Sequence, residues 1–212
     1  MTSSSALTSP LPESMPNDAS QWPAPAAGSA GLRIEAVADP HAVQDFLQQA
    51  RARMFAGRVD TAALAPDLRD FEQTYGPAQG RMLAAHDARG GLAGTIAWRA
   101  YDGRFAQLDF SGRRVVEVVR LFVAPECRRQ GIADALFHAL RQQAREQGIE
   151  VLYLHTHPFL PGALAFWQRH GFAVICQDAD PEWQTIHMQC ALQEPPAGQA
   201  GASAQQGQRP RP

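Results

Sequence analysis

The chain has 212 residues, of which 45% are hydrophobic and 19% are charged, a composition typical of one globular domain. All 19 basic residues are arginine, which excludes phosphate-loop nucleotidases, protein kinases and pyridoxal-dependent enzymes, because each of these needs a lysine amine. The net charge of −2 argues against nucleic acid or an anionic membrane as a partner, since proteins that bind them carry an excess of basic residues.

The sequence carries no signal that points to a membrane or to secretion. No apolar run is long enough to cross a membrane, and residues 1–30 contain no arginine, so we expect a cytoplasmic protein without a secretory or transit peptide. Cys127, Cys176 and Cys190 lie in no metal-binding spacing. We therefore expect reduced thiols and no bound metal.

Composition divides the chain into one domain and two tails. Residues 1–30 are rich in Ser, Pro and Ala, and residues 194–212 are rich in Pro, Gly, Gln and Ala. Neither segment has the apolar periodicity needed to offset the entropy cost of ordering, so both are predicted to be disordered. Residues 31–193 are predicted to form the folded domain.

The first half of the domain is predicted to contain two helices and three strands. Alternating apolar residues predict a strand over Leu32–Ala38, and the pair Asp39-Pro40 is typical of a helix start. A second helix is predicted over Pro66–Tyr75. Arg81–His86 and Leu92–Arg99 are predicted strands joined by a glycine-containing turn.

The second half alternates strands and helices, which predicts an α/β or α+β fold. Val115–Val123 is nearly all β-branched or apolar and is predicted to be a central strand. A helix is predicted from Ile132 and ends at Gly148. The later elements are a strand over Ile149–Thr156, a helix over Ala163–His170, an extended run over Phe172–Cys176 and a last strand that contains His187.

The loop 126–131 between the central strand and the long helix has the features of an anion-binding site. Backbone N–H groups at a helix start are unpaired and lie at the positive end of the helix dipole. Gly131 lets a ligand approach the backbone, and Arg128 and Arg129 add positive charge. A pyrophosphate would fit, although a turn glycine next to solvent-exposed arginines explains the same residues.

The order of these motifs resembles the GNAT N-acetyltransferase superfamily. Its signature is a strand, an R/Q-x-x-G-x-G/A loop, a long helix, a strand and a short helix that ends in Y-x-x-x-G-F. The two motifs read RRQGIA over residues 128–133 and AFWQRHGF over residues 165–172. The resemblance implies a single GNAT-like domain with a mixed central sheet of about six to seven strands flanked by about four helices.

The resemblance also implies acetyl-CoA as cosubstrate and a primary amine, of a small molecule or a peptide, as acceptor. A homodimer is left open. The backbone of Leu121, Phe122 and Val123 would pair with the pantetheine arm. The pyrophosphate would be bound by residues of the loop and the helix start, namely Arg128, Arg129, Gln130, Gly131, Ile132, Ala133 and Asp134.

Acyl transfer to an amine needs a group that removes a proton, because amines are mostly protonated at neutral pH. Glu117 lies fourteen positions before Gly131, where the lysine-acetylating branch of the family has a glutamate base. The alternative role for Glu117 is an ion pair with Arg99 or Arg120. His155 lies where the branch that acetylates N-terminal amines has a glutamate, and an imidazole suits general-base catalysis near neutral pH.

Three further residues have weaker predicted roles. His157 and His187 are candidates for catalysis or substrate binding, although strand histidines are often only structural. Trp167 stands at the cofactor, where the family usually has a tyrosine that protonates the leaving thiolate, and an indole cannot deliver that proton. A non-catalytic acyl-CoA-binding regulatory module is therefore the alternative function, and a nucleic-acid-binding accessory domain is disfavoured by the charge.

Overall fold

The computed structural model describes residues 31–60 and 63–192, so the predicted tails lie outside the described residues. The elements in chain order are β1 (Arg33–Ala36), α1 (His41–Met54), α2 (Pro66–Arg69), α3 (Phe71–Tyr75), β2 (Gly80–His86), β3 (Leu92–Ala100), β4 (Val115–Val123), α4 (Ile132–Glu146), β5 (Val151–Thr156), α5 (Ala163–Arg169), β6 (Ala173–Gln177) and β7 (Ile186–Ala191).

The seven strands form one mixed sheet in the order β1-β2-β3-β4-β5-β7-β6. Strands β1 to β4 pair antiparallel, β4 and β5 pair parallel, and β7 lies antiparallel between β5 and β6. The expected single α/β domain with a mixed sheet is thereby confirmed. In the part of the chain that the structure describes, no helix is long and apolar enough to cross a bilayer.

The two faces of the sheet are covered differently. Alternate side chains of a strand point to opposite faces, and the first face packs against α4 and α5 in the larger hydrophobic core. The second face is covered by α1, α2 and α3 only over β2, β3 and β4, in a smaller core. Over β5, the second face is instead covered by the loop 101–114, whose Tyr101, Phe105 and Phe110 pack on Tyr153.

The helix predicted over 66–75 is wrong in one respect, because it breaks into α2 and α3 at Asp70, where φ is −100° and ψ is 44°. Aspartate is unfavourable inside a helix because its carboxylate competes for nearby backbone N–H groups. The break raises the number of α-helices in the described residues from the expected four or so to five.

Other predicted boundaries shift by one or two residues, namely those of β1, β2, β3, α5 and β6 and the two that follow. The first helix begins at His41, one residue later than Pro40, and the Asp39 Oδ1 accepts the His41 N–H at 2.9 Å. The strand predicted from Ile149 begins at Val151, because the Ile149 N–H instead binds the Ala144 carbonyl and closes the end of α4. Local hydrogen bonds at helix ends account for both differences.

The sheet opens between β4 and β5. Their parallel pairing covers only Val115–Glu117 against Val151–Tyr153, and the strands then diverge. Beyond this point β4 carries a bulge against β3, with Arg120 at φ 60°, a left-handed conformation that is unusual for a non-glycine residue. An ion pair with Asp67 of α2 holds the Arg120 side chain. A cleft therefore separates the carboxyl-terminal halves of β4 and β5.

Candidate active site

Three of the predicted polar residues, Glu117, His155 and His187, lie together on the second face of the sheet, beside the cleft. Glu117 of β4 stands opposite Tyr153 of β5, and His155 of β5 stands opposite His187 of β7. Each of these residues points to the same face because the positions alternate along their strands. The sheet thus brings Glu117 and His155, which are 38 positions apart, into hydrogen-bond contact.

Glu117 is fully buried and contacts three positively charged or titratable side chains. Arg99 donates its Nε and Nη2 to the Glu117 Oε2, both at 2.9 Å. Arg104 binds both carboxylate oxygens, with Nη1 at 3.0 Å from Oε2. The His155 Nδ1 lies 3.0 Å from Oε1. The ion pair expected with Arg99 is present, whereas Arg120 binds Asp67 instead.

These contacts lower the pKa of Glu117. Burial by itself would raise its pKa, but the hydrogen bonds from His155 and Arg104 and the charge of Arg99 outweigh burial and lower the pKa from 4.5 to about 2. The carboxylate is therefore ionised at neutral pH. A group with this pKa accepts a proton from an ammonium poorly, which weakens its candidacy as a general base.

The ring of His155 is oriented by Glu117. Its Nδ1 faces the Glu117 carboxylate, which has no exposed surface, while 29% of the His155 side chain is exposed. A carboxylate on one ring nitrogen selects the tautomer that donates there and leaves the other nitrogen as an acceptor. This arrangement can take a proton at Nε2 and stabilise the resulting imidazolium.

The loop 101–114 completes the site with residues that the sequence analysis did not identify. Arg104 reaches Glu117, and the Phe105 ring lies 5.7 Å from that of His155 and 4.6 Å from that of His187. Gln107 donates to the Asp178 Oδ1 at 3.0 Å. These residues match no motif, and no local pattern in the sequence indicates them.

His187 is fully buried, and both of its ring nitrogens have partners. Its Nδ1 lies 2.8 Å from the Tyr153 hydroxyl, and its Nε2 lies 3.2 Å from the Asp178 Oδ2. Burial raises the pKa of Tyr153, so its hydroxyl stays protonated and donates to His187. These contacts connect β5, β7 and the end of β6 beneath the loop 101–114.

His157 is also buried. Its Nδ1 lies 3.1 Å from the Trp183 carbonyl oxygen, and burial lowers its pKa. The ring is therefore neutral near pH 7 and donates Nδ1–H to that carbonyl. Its hydrogen bond joins β5 to the loop before β7, away from Glu117.

The predicted anion-binding loop has an unusual backbone conformation. Arg129 and Gly131 both have positive φ, at 61° and 77°, and no side chain caps the start of α4. The side chains of Arg128 and Gln130 bind backbone oxygens of Val123 and Glu126, both at 3.3 Å, and hold the loop. The first N–H groups of α4 therefore stay available to an anion.

Two other residues assigned to the cofactor site make contacts of their own. The Asp134 Oδ1 lies 2.9 Å from the Nε2 of His170, which follows α5. Trp167 is 7% exposed and packs against three aromatic rings of the larger core, those of Phe137, Phe166 and Phe172. Most of the Trp167 indole therefore contributes to core packing.

The described residues fit coenzyme A. The cleft leaves one backbone edge of Leu121–Val123 without a strand partner, and the loop that follows presents uncapped N–H groups next to Arg128 and Arg129. An amide-containing arm and a diphosphate need these two features. Over residues 31–60 and 63–192, no group of three or more His, Cys, Asp or Glu side chains is arranged to hold a metal ion.

A mixed sheet that opens between two parallel strands, followed by a backbone-lined anion site, suits the binding of an acyl-CoA. The chain belongs to the GNAT acetyltransferase family, since the profile described as "Acetyltransferase (GNAT) family" matches residues 44–172.

Two curated relatives are N-acetyltransferase 8 of Mus musculus, 30% identical over 109 residues, and mycothiol acetyltransferase of Geodermatophilus obscurus, 33% identical over 134 residues. The first alignment covers 51% of this chain and 46% of the relative, and the second covers 63% and 39%. This chain thus spans about half or less of the length of these relatives.

Solved structures of the family share the fold. A GNAT-family acetyltransferase of Staphylococcus aureus Mu50 has a TM-score of 0.62 at 19% identity, covering 76% of this chain and 99% of that one. The PaiA N-acetyltransferase of Thermoplasma acidophilum, solved in complex with coenzyme A, has a TM-score of 0.57 at 16% identity, covering 76% and 98%.

Proposed function

We propose that this protein is an acetyl-CoA-dependent N-acetyltransferase that acetylates a primary amine of a small molecule or a peptide by direct attack of the amine on the thioester. The observation that carries the proposal is the Glu117–His155 pair, which lies beside the cleft between β4 and β5. Membership of the GNAT family supports acyl transfer. Both curated relatives described above are named acetyltransferases.

The cosubstrate supplies the acetyl group as a thioester. The backbone of Leu121, Phe122 and Val123 would bind the pantetheine arm at the open edge of β4. The N–H groups from Arg129 to Asp134 would bind the pyrophosphate, and the guanidinium of Arg128 would add positive charge. These residues bind and orient the thioester beside the second face of the sheet.

The base in this proposal is His155, and Glu117 is a positioning residue. The Nε2 of His155 takes the proton from the acceptor ammonium, while the Glu117 carboxylate accepts the Nδ1–H and stabilises the charged ring. The low pKa of Glu117 favours this order of roles over direct proton removal by the glutamate. Glu117 and His155 are both candidate bases by sequence, and the contacts favour His155.

The leaving thiolate needs no protein acid. A thiol has a pKa of about 8.5, so water can protonate its conjugate base near neutral pH. The indole of Trp167, which packs in the core, is not required for this step. The cytoplasmic location stays a prediction of the sequence.

The test is to incubate the full chain with acetyl-CoA and a panel of primary amines, with thiol release and product mass as readouts. Calorimetric titration with acetyl-CoA runs in parallel. We expect binding of acetyl-CoA and amine-dependent release of thiol. Binding without release from any amine would favour the regulatory-module alternative, and absence of binding would contradict both functions.

A further inference from the structure

Aromatic rings lie next to the ring of His155. The Phe105 ring of the loop 101–114 is 5.7 Å away. The His157 ring is also 5.7 Å away. Three rings surround His157, at 5.0 Å for Phe159, 5.2 Å for Trp183 and 6.1 Å for Phe55. We call Phe55, His157, Phe159 and Trp183 the aromatic cluster.

The aromatic cluster joins three segments that are distant in the sequence. Phe55 follows α1, Phe159 follows β5 and Trp183 precedes β7. Helix α1 packs on β4 through the edge-to-face pair of Phe46 and Phe122, with centroids 5.4 Å apart, and its end packs on His157 after β5. Helix α1 thus reaches from the β4 side of the cleft to the β5 side. The aromatic cluster packs against the C-terminal end of this helix.

An arginine of the protein already contacts the aromatic cluster. The Arg58 guanidinium lies 4.2 Å from the centre of the Phe159 ring, and its Nη1 donates to the Glu182 carbonyl at 3.0 Å. A guanidinium over a ring face uses the attraction that a ligand cation would need there. The Arg58 guanidinium also repels a second positive charge.

Three carboxylates near these side chains already accept hydrogen bonds. Glu117 binds two arginines and His155. Asp178 accepts from Gln107, and Asp180 accepts the backbone N–H groups of Glu182 and Trp183. The walls beside His155 thus offer aromatic surface to the group attached to an acceptor amine, and they offer little to a second ammonium.

We infer that the acceptor is a primary amine that carries one aromatic or similarly flat apolar group and no second positive charge. The amine lies at the Nε2 of His155, and the apolar group packs between Phe105 and the aromatic cluster. Aromatic pairs add stabilisation beyond the area that they bury, which favours such a group over a flexible polar chain. The inference rests on the proposed function and specifies its substrate class.

The test compares phenethylamine with cadaverine, a diamine of similar length, by calorimetric titration into the full chain saturated with coenzyme A. We expect phenethylamine to bind at least about tenfold more tightly, the effect of one good aromatic contact. Equal or tighter binding of cadaverine would overturn the inference, and so would absence of binding by both amines. The acetyl-CoA titration and thiol release of the amine panel report on the proposed function separately.

Variants of the walls provide the second readout. Trp183→Leu and Phe105→Leu should each weaken phenethylamine binding about tenfold while acetyl-CoA affinity stays the same. Ile175→Ala, an exposed apolar residue on the outer strand β6, is the matched control and should change neither. If Trp183→Leu does not fold, as judged by its melting curve, Phe55→Leu replaces it. Unchanged phenethylamine affinity in the folded wall variants would contradict the inference.

Discussion

The loop before α4 and the polar site on the second face of the sheet are built in opposite ways. The loop and the helix start that follows it are contiguous, residues 125–134, and offer an anion mainly backbone N–H groups. The polar site uses side chains from β3, β4, β5 and the loop 101–114, which contact one another across the sheet. A site made of backbone can be recognised from a short motif, whereas a site made of side chains requires the folded chain.

The two regions also differ in charge and exposure. Arg128 and Arg129 of the loop are exposed to solvent, so their charges are screened. Glu117 has no exposed surface, and its charge is balanced by direct contacts. Changes in the loop should therefore affect cofactor binding, while changes in the polar site should affect turnover and stability.

Replacing the base should have the largest effect. His155→Gln should lower kcat by about 10²- to 10⁴-fold, because proton removal at Nε2 is lost, and should leave acetyl-CoA affinity unchanged. Steady-state thiol release and calorimetry measure the two quantities. His41→Gln, at the exposed start of α1, is the control. A kcat near that of the wild type in His155→Gln would assign proton removal to another group or to solvent.

The pH dependence of the stability of Glu117→Gln tests the contribution of the ion pairs around Glu117. Because the folded-state pKa of Glu117 is lowered from 4.5 to about 2, its stabilisation is present above pH 4.5 and is lost as the pH falls towards 2. The corresponding stabilisation at neutral pH is about 3 kcal/mol.

The expected result is a wild-type melting temperature that falls more steeply below pH 4.5 than that of Glu117→Gln. The variant should melt lower at pH 7, and its kcat should fall less than that of His155→Gln. Parallel melting curves for the two proteins over this range would contradict the low pKa. A larger loss of kcat in Glu117→Gln than in His155→Gln would return the base role to the glutamate.

Gly131→Val should weaken acetyl-CoA binding about tenfold to a hundredfold, because a β-branched residue is strained at φ 77° and its side chain blocks approach to the backbone. Calorimetry measures the affinity. Gly90→Val is a matched control, with φ 82° in the turn between β2 and β3 and open space around its Cβ position. It should lower stability in the same way and leave the affinity intact. Equal affinities in both variants would refute the pyrophosphate assignment.

Trp167→Phe should have the smallest effect. We expect kcat to stay within about threefold of the wild type, because an indole delivers no proton and water can protonate the thiolate. The melting temperature should fall by a few degrees, since a smaller ring leaves a gap in the core. Trp98→Phe, at another buried position of the same core, is the control. A much larger loss of kcat in Trp167→Phe alone would give the indole a direct role.

Several elements follow from the sequence because their signals are local. β4 has the predicted bounds, and α4 begins at Ile132 as the apolar spacing predicts. Gly131 has a positive φ, a conformation that glycine adopts without strain. The break at Asp70 was not predicted, since the apolar residues on both sides keep helical spacing and mask it.

The sequence by itself determined the order of the elements, the GNAT resemblance and the backbone loop, because periodicity, β-branching and glycine act within a few neighbouring residues. The proposed division of roles between Glu117 and His155 rests on the tertiary structure alone. Arg99 and Arg104 come from β3 and from the loop 101–114, and their contacts with the buried Glu117 help to lower its pKa, which favours His155 as the proposed base. Such a balance of burial and charge depends on which strands lie side by side, and no spacing along the chain encodes it.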